Sequence, residues 1–118
     1  MGTFSQTLEI GPLSGEHFAS VEALADTGAT YTWLPSDVLE GLGIEPEDSW
    51  NFILADGSER YYRIAQVRTR LQDAERFSIC VFGEPDTQPL LGAFTLEAFR
   101  LGVDAVNKRL IPTPALLM

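Results

Sequence analysis

Apolar and polar residues alternate along most of the chain, a pattern that is typical of half-buried β-strands. Helical spacing occurs in two places, at 36–43 after Pro35 and at 94–101 before Gly102. The alternation predicts strands at 4–10, 17–25, 31–34, 50–54, 60–71, 77–82, 89–92 and 109–112. We therefore expect a mainly β domain with one or two short helices.

One predicted hairpin, formed by 50–54 and 60–71, carries a polar tip. Its turn is Ala55-Asp56-Gly57-Ser58-Glu59, and Asp-Gly between two β-rich segments is the strongest short hairpin signal. The simplest interpretation is a surface hairpin. The functional alternative is a flap that closes over a bound substrate.

An acid-hydroxyl-glycine triplet, Asp26-Thr27-Gly28, lies between two of the predicted strands. It places a carboxylate at the end of the apolar segment 21–25, where a charge is costly unless it is shared or paired. Gly28 permits a tight turn, and the Thr27 hydroxyl can bond to neighbouring backbone groups. The same residue types also form ordinary turns, so the triplet alone is a weak motif. The strands around it and a matching segment downstream favour a functional site.

The composition predicts a single soluble domain spanning 1–118. Hydrophobic residues make up 45% of the chain, the net charge is −9, and the one cysteine excludes an internal disulfide. The acidic balance argues against a nucleic-acid partner and against anionic membrane surfaces, and no apolar segment approaches the roughly 20 residues that span a bilayer. Because 1–6 lacks a basic region followed by an apolar stretch, we expect a cytoplasmic protein.

Other catalytic chemistries find little support in the sequence. His17 is the only histidine and lies far along the chain from a second ligand or nucleophile, while Cys80 lies among apolar strand residues. The sequence contains no His-Glu-x-x-His motif, no Gly-x-Ser-x-Gly motif, no phosphate loop and no cluster of cysteine ligands. We therefore expect no metal and no cofactor.

Four segments carry a family resemblance when they are taken in order, namely 26–30, 55–58, 90–92 and 109–112. They consist of Asp-Thr-Gly-Ala-Thr, Ala-Asp-Gly-Ser, Leu-Leu-Gly and Arg-Leu-Ile-Pro. Nearly the whole chain resembles the retroviral-type, or retropepsin-like, single-domain aspartic proteases, in their prokaryotic branch. The resemblance implies a closed β-barrel or sandwich domain with a flap hairpin, in which each subunit of a homodimer supplies one aspartate.

The resemblance also implies roles for individual residues. Asp26 is the expected catalytic acid; Thr27 would lock the two catalytic loops together across the dimer axis, and Gly28 would support the loop. The residues expected to contact the substrate are Ala29, Thr30, Ala55, Asp56 and Gly57. The residues expected to pack beside the catalytic loop are Leu90, Leu91 and Gly92.

Two departures from the family pattern bear on the function. Retroviral members often carry an aspartate and an arginine, which form an ion pair, where this chain has Thr30 and Ala93. Both partners are absent together, so no buried charge is left unpaired. The hairpin tip also lacks the glycine-rich run of viral flaps.

The expected activity is that of an aspartic endopeptidase, acting on a peptide or protein substrate through an Asp26 dyad formed across a homodimer. Two close carboxyls would share one proton, so that one acts as base and the other as acid, and activity should favour acid to near-neutral pH. The apolar tail at 113–118 also favours a covering partner surface. The alternative is a non-catalytic dimeric module with the same fold, which binds an extended peptide beneath the hairpin.

Overall fold

The computed structural model describes residues 4–114, and these are mainly β, as the alternation predicts. The predicted strands and both predicted helices are present, with bounds that differ by a few residues. The elements in chain order are β1 (Ser5–Gly11), β2 (Ala19–Ala25), β3 (Thr32–Pro35), α1 (Ser36–Gly41), β4 (Asp48–Ile53), β5 (Glu59–Leu71), β6 (Ala74–Gly83), β7 (Leu90–Leu91), α2 (Ala93–Ala98), β8 (Leu101–Asp104) and β9 (Arg109–Pro112).

Seven of the strands form one sheet in the order β1-β2-β7-β3-β6-β5-β4. β1 also pairs with β5, through 9–11 and 68–70, so the sheet curls back on itself. Among the strands that the structure describes, β4 pairs with β5 alone, at the edge of the sheet. β8 and β9 form a separate two-stranded antiparallel sheet.

The inner face of the curled sheet encloses the core. Alternate residues of the strands point inward, as Leu8 and Ile10 do in β1, and each of these two is only 1% exposed. The two helices cover the core with Leu39 of α1 and Leu96 of α2. No helix within residues 4–114 is long and apolar enough to cross a membrane.

The turn between β5 and β6 is tighter than the turn predicted at 72–75. It consists of Gln72 and Asp73, whose φ values of 50° and 67° are both positive. Two-residue turns of this kind match the twist of the strands that they join. β6 therefore begins at Ala74, three residues before the predicted start at 77.

The second helix is shorter than the prediction of 94–101. It ends at Ala98, and Arg100 has a φ of 55°, the left-handed conformation that commonly stops a helix. Leu101 was expected to end the helix, and it instead begins β8, which the sequence analysis did not predict. The predicted apolar tail continues to residue 118, and its last four residues lie outside the described part of the chain.

Candidate active site

Asp26 follows β2 directly and begins a tight turn. Its Oδ1 accepts a hydrogen bond from the Gly28 amide at 2.9 Å, and its carbonyl oxygen accepts one from the Ala29 amide at 3.1 Å. A Cβ atom at position 28 would lie 3.1 Å from that Oδ1, closer than ordinary packing allows. The turn therefore fixes the carboxylate with a backbone amide while the residue stays only half-buried.

β7 supports this turn from behind, because it inserts between β2 and β3, the two strands that flank the turn. Leu24 and Ala25 pair in parallel with Leu90 and Leu91. The Asp26 amide also donates a hydrogen bond to the Leu91 carbonyl at 3.0 Å. The structure thus places this segment beside the expected catalytic loop.

Gly92 lies at the closest approach between the two segments. A Cβ atom there would meet the carbonyl carbon and oxygen of Tyr31 at 2.5 Å, and the carbonyl oxygen of Ala29 at 2.9 Å. The amides of the next two residues donate to the carbonyls of Ala29 and Thr30, each at 2.8 Å. Only glycine fits this position without a shift of the Asp26 turn.

Three buried hydroxyl side chains lie behind the loop. Thr32 Oγ1 accepts a hydrogen bond from the Gly92 amide at 3.1 Å and is bonded to Thr95 Oγ1 at 2.7 Å, which is bonded in turn to Ser78 Oγ at 2.6 Å. The sequence analysis gave none of them a role. The one available signal was the phase of β3, which places Thr32 on the same face as the buried Leu34.

A cleft of about 730 Å³ opens in front of the loop. Its two walls are formed by 28–31 and by 49–53 of the edge strand β4, and Trp33 and Tyr61 complete the lining. Within residues 4–114, no acidic or basic side chain belongs to this lining. The cleft is therefore uncharged and largely aromatic.

Contacts between aromatic rings join the β4–β5 hairpin to the rest of the domain. The ring of Trp33 lies 4.8 Å from that of Tyr62 and 5.2 Å from that of Phe52, measured between centroids. Tyr31 and Trp50 are 5.5 Å apart. The sequence analysis missed this cluster, although the spacing of two between Tyr31 and Trp33, and between Trp50 and Phe52, was a usable signal.

Comparison with known proteins decides the family. A family model described as "gag-polyprotein putative aspartyl protease" matches residues 15–98. The chain belongs to this family of aspartyl proteases. The match includes the Asp26 turn, the β4–β5 hairpin and Gly92, so the expectation of a retroviral-type aspartic protease family is confirmed. No curated protein matches the chain.

A solved structure confirms the fold of this aspartic protease family member. The solution structure of Simian Foamy Virus (mac) protease is similar to it with a TM-score of 0.58. The two chains are 20% identical, and the match covers 80% of this chain and 92% of the viral one. The expected mainly β, retropepsin-like fold is therefore confirmed.

The residues predicted to contact substrate divide into two groups. Ala29 and Thr30 line the cleft, whereas 55–57 are exposed at the hairpin tip and lie outside its lining. The tip folds on itself, because Asp56 Oδ1 accepts hydrogen bonds from the Ser58 amide at 2.9 Å and from the Ser58 hydroxyl at 2.6 Å. The bond from the Ser58 hydroxyl, and then the bond from the Ser58 amide, lower the pKa of Asp56.

Thr27 faces a different part of the surface. It is exposed and borders a second hollow of about 440 Å³, which is also lined by Ala93 and Leu96. The charged side chains in that lining are Glu97 and Arg100. Thr27 therefore lies in the lining of this hollow and not in that of the aromatic cleft.

A charged cluster fastens the hairpin to the loop after β6. Glu84 Oε2 accepts hydrogen bonds from Arg60 Nη1 at 2.9 Å and from the Tyr62 hydroxyl at 2.8 Å. The Tyr62 bond, followed by a backbone bond and the pairing with Arg60, lowers the pKa of Glu84. Burial, and then the bond to Glu84, raises the pKa of Tyr62.

Cys80 and possible metal ligands are two further candidates for chemistry. Burial raises the pKa of the Cys80 thiol far above its usual range, so the side chain is a packed thiol and not a nucleophile. Within residues 4–114, no group of three histidine, cysteine, aspartate or glutamate side chains is arranged to hold a metal ion.

Proposed function

We propose that the chain is an aspartic endopeptidase whose active site consists of two Asp26 carboxyls, one from each subunit of a homodimer. One observation carries the proposal: the Asp26 carboxylate is held by the Gly28 amide, and the wall of an aromatic cleft begins at that same glycine. Membership of an aspartyl protease family supports the same chemistry.

Two carboxyls are needed because hydrolysis of a peptide bond by general acid–base catalysis has two proton requirements. One carboxylate takes a proton from the attacking water, and one carboxylic acid protonates the scissile carbonyl oxygen. Like charges held close together force a pair of Asp26 side chains to share one proton, which divides these roles between them. The water oxygen then attacks the carbonyl carbon and forms a gem-diol. The proton taken from water passes to the amide nitrogen, the C–N bond breaks, and one hydroxyl of the gem-diol returns a proton to the carboxylate that acted as the acid. The two pKa values belong to the pair.

The proposed substrate is an extended peptide. The wall formed by 49–53 belongs to β4, which pairs with β5 alone among the described strands. A strand edge of this kind can add a peptide through backbone hydrogen bonds, while the aromatic rings accept its apolar side chains. The hairpin would then act as a flap over the bound peptide.

The exposed position of Thr27 supports the homodimer. A second Asp26 turn, related by a two-fold axis, would cover Thr27, and closed two-fold pairs are the commonest oligomers. With Thr30 and Ala93 in place of a charged pair, the contact would depend on packing and backbone bonds. This composition is compatible with dimerisation, because no charge is left unpaired.

A dimeric peptide-binding module without catalysis is the second candidate function. The observation that favours it is the hairpin tip, where the predicted substrate residues 55–57 lie outside the cleft. The intact Asp26 turn opposes it, because binding alone gains nothing from a pair of carboxyls that must share a proton.

The experiment compares the wild type with Asp26→Asn on an unfolded protein substrate, from acid to neutral pH. We expect the variant to fold and dimerise, and its cleavage rate to fall by roughly a thousandfold or more, because base and acid are lost together. Asp37→Asn is the matched control, since it removes one exposed carboxylate from α1.

Sedimentation of the same proteins tests the dimer. A wild type that stays monomeric with and without a peptide ligand contradicts the Asp26 pair. The binding module is supported instead if the wild type cleaves nothing and Asp26→Asn binds peptides as well as the wild type does.

A further inference from the structure

A continuous chain of hydroxyl hydrogen bonds crosses the core behind the catalytic turn. It runs from Ser78 on β6, through Thr95 on α2, to Thr32 on β3, with oxygen separations of 2.6 and 2.7 Å. The three residues are 4%, 0% and 2% exposed, respectively. We refer to these three residues as the hydroxyl chain.

The hydroxyl chain ends on the backbone that holds Asp26. Thr32 Oγ1 accepts the Gly92 amide, and the residues on either side of Gly92 bond to the catalytic turn. The preceding carbonyl, of Leu91, accepts the Asp26 amide, and the following amide donates to the Ala29 carbonyl. A shift of the hydroxyl chain would therefore move Gly92, and with it both supports of the Asp26 turn.

Core packing alone does not explain three hydroxyls in these positions. Apolar side chains of similar volume would fill the same space without the cost of burying polar groups. A fully satisfied polar network in a region of low dielectric instead restricts its members to one arrangement. No buried side-chain nitrogen or oxygen among the described residues lacks a partner, so the hydroxyl chain meets this condition.

We propose that Thr95 and Ser78 are positioning residues, which fix the Asp26 turn against β6 through Thr32 and the Gly92 amide. The proposal rests on the proposed function, because the position that it fixes matters only for a reacting carboxylate. The two residues contact neither substrate nor Asp26 and act through the backbone alone. A displacement of about 1 Å at a catalytic group can lower a rate by as much as a hundredfold.

The test measures kcat, KM and the pH profile of peptide cleavage at a temperature where every variant is folded. Thr95→Val removes the central hydroxyl and keeps the shape, Thr95→Ser keeps the hydroxyl, and Ser78→Ala removes the far end. Thr69→Val is the matched control, because Thr69 is a buried threonine on β5 that is not a member of the hydroxyl chain.

We expect Thr95→Val to lower kcat by about tenfold to a hundredfold, to leave KM within about twofold and to shift the pH profile. Thr95→Ser should restore all three values, and Thr69→Val should change stability without changing kcat. A folded Thr95→Val with wild-type kcat and pH profile overturns the proposal. If Thr95→Val does not fold, Ser78→Ala decides in its place: a reduced kcat supports the proposal, and an unchanged one overturns it.

Amide exchange separates this proposal from the proposed function. If the wild type cleaves nothing, the proposed function fails. Exchange at the Gly92 amide then still tests whether the hydroxyl chain holds the Asp26 turn in place. Faster exchange there in Thr95→Val and Ser78→Ala, but not in Thr69→Val, shows that the hydroxyl chain holds the turn. Unchanged exchange in both variants overturns the positioning role.

Discussion

The segment behind the Asp26 turn and the hairpin in front of it are built in opposite ways. Behind the turn, 90–95 is bonded to it through successive backbone groups and the buried hydroxyls of Thr32 and Thr95. In front, the hairpin is joined through ring contacts and exposed charged pairs, while Ile53 and Tyr61 are 75% and 70% exposed. We therefore expect local opening to be costly behind the Asp26 turn and easier at the hairpin.

Two glycines show the same contrast on the scale of a single atom. A Cβ at Gly92 would lie 2.5 Å from the Tyr31 carbonyl, whereas one at Gly57, on the hairpin tip, would meet nothing within 4 Å. Position 92 requires glycine because there is no room for a Cβ atom. Position 57 favours glycine because its φ is 87°. The segment behind the Asp26 turn therefore has no free space for an added side-chain atom, whereas the hairpin tip has free space around it.

The largest expected effect comes from filling the space at Gly92. Gly92→Ala should destabilise the domain by about 3 kcal/mol or more, or prevent folding, because either Tyr31 or the Asp26 turn must move. Thermal and urea unfolding measure the loss. Gly41→Ala, at the end of α1 where a Cβ meets nothing, is the control and should be neutral or stabilising. Equal stability of the two variants would contradict the prediction, since the segment behind the Asp26 turn would then tolerate a Cβ as well as the end of α1 does.

A smaller effect is expected from loosening the hairpin at Trp33. Trp33→Ala removes the ring that packs on Phe52 and Tyr62, so we expect a loss of about 2–3 kcal/mol in unfolding free energy. Amides of the hairpin should exchange faster, while that of Gly92 should change little.

Tyr61→Ala is the control for that prediction. Tyr61 lies on the same hairpin but is largely exposed, and surface truncations of this kind usually change stability by less than about 0.5 kcal/mol. If Trp33→Ala accelerates exchange at Gly92 as strongly as at the hairpin, the two regions are one cooperative unit and the contrast fails.

The sequence predicted most of the architecture because the strands alternate clearly and the turns carry glycine and proline. The contact between the Asp26 turn and segment 90–92 was predicted from the resemblance alone, since pairing between segments this far apart leaves no local signal in the sequence. The hydroxyl chain was missed because serine and threonine are mostly found on exposed faces. The only sign that Thr32 is buried was its position two residues before Leu34, which puts both on the same face of β3.

Errors at the boundaries have local physical causes. The prediction of a helix through Leu101 failed because apolar spacing cannot show that Arg100 adopts a positive φ. The expectation that 55–57 contact substrate came from the family pattern and stays a prediction; these residues lie at the hairpin tip, outside the lining of the cleft. The aromatic lining of the cleft depends on contacts between β3 and the hairpin, which the pattern within either strand does not specify.

The smallest expected effect concerns the charged tie between the hairpin and the loop after β6. The Tyr62 hydroxyl and the Arg60 guanidinium lower the folded-state pKa of Glu84 below its ordinary value of 4.5. A carboxyl with a lowered folded pKa contributes stability that is fully present above the unfolded value and is lost as pH falls through the folded one. Acid should therefore loosen the hairpin while leaving the uncharged support behind Asp26 intact.

Glu84→Gln tests this directly, because the amide keeps the shape and cannot titrate. At neutral pH the variant should be slightly less stable than the wild type, with faster exchange in the hairpin, and the difference should vanish as pH falls below the folded pKa of Glu84. Glu40→Gln is the control, since it removes another exposed ion pair to the same strand, at Arg63. A stability difference that persists unchanged into strong acid would mean that Glu84 ties the hairpin by packing rather than by charge. The stability of the hairpin would then depend on pH as little as that of the segment behind the Asp26 turn.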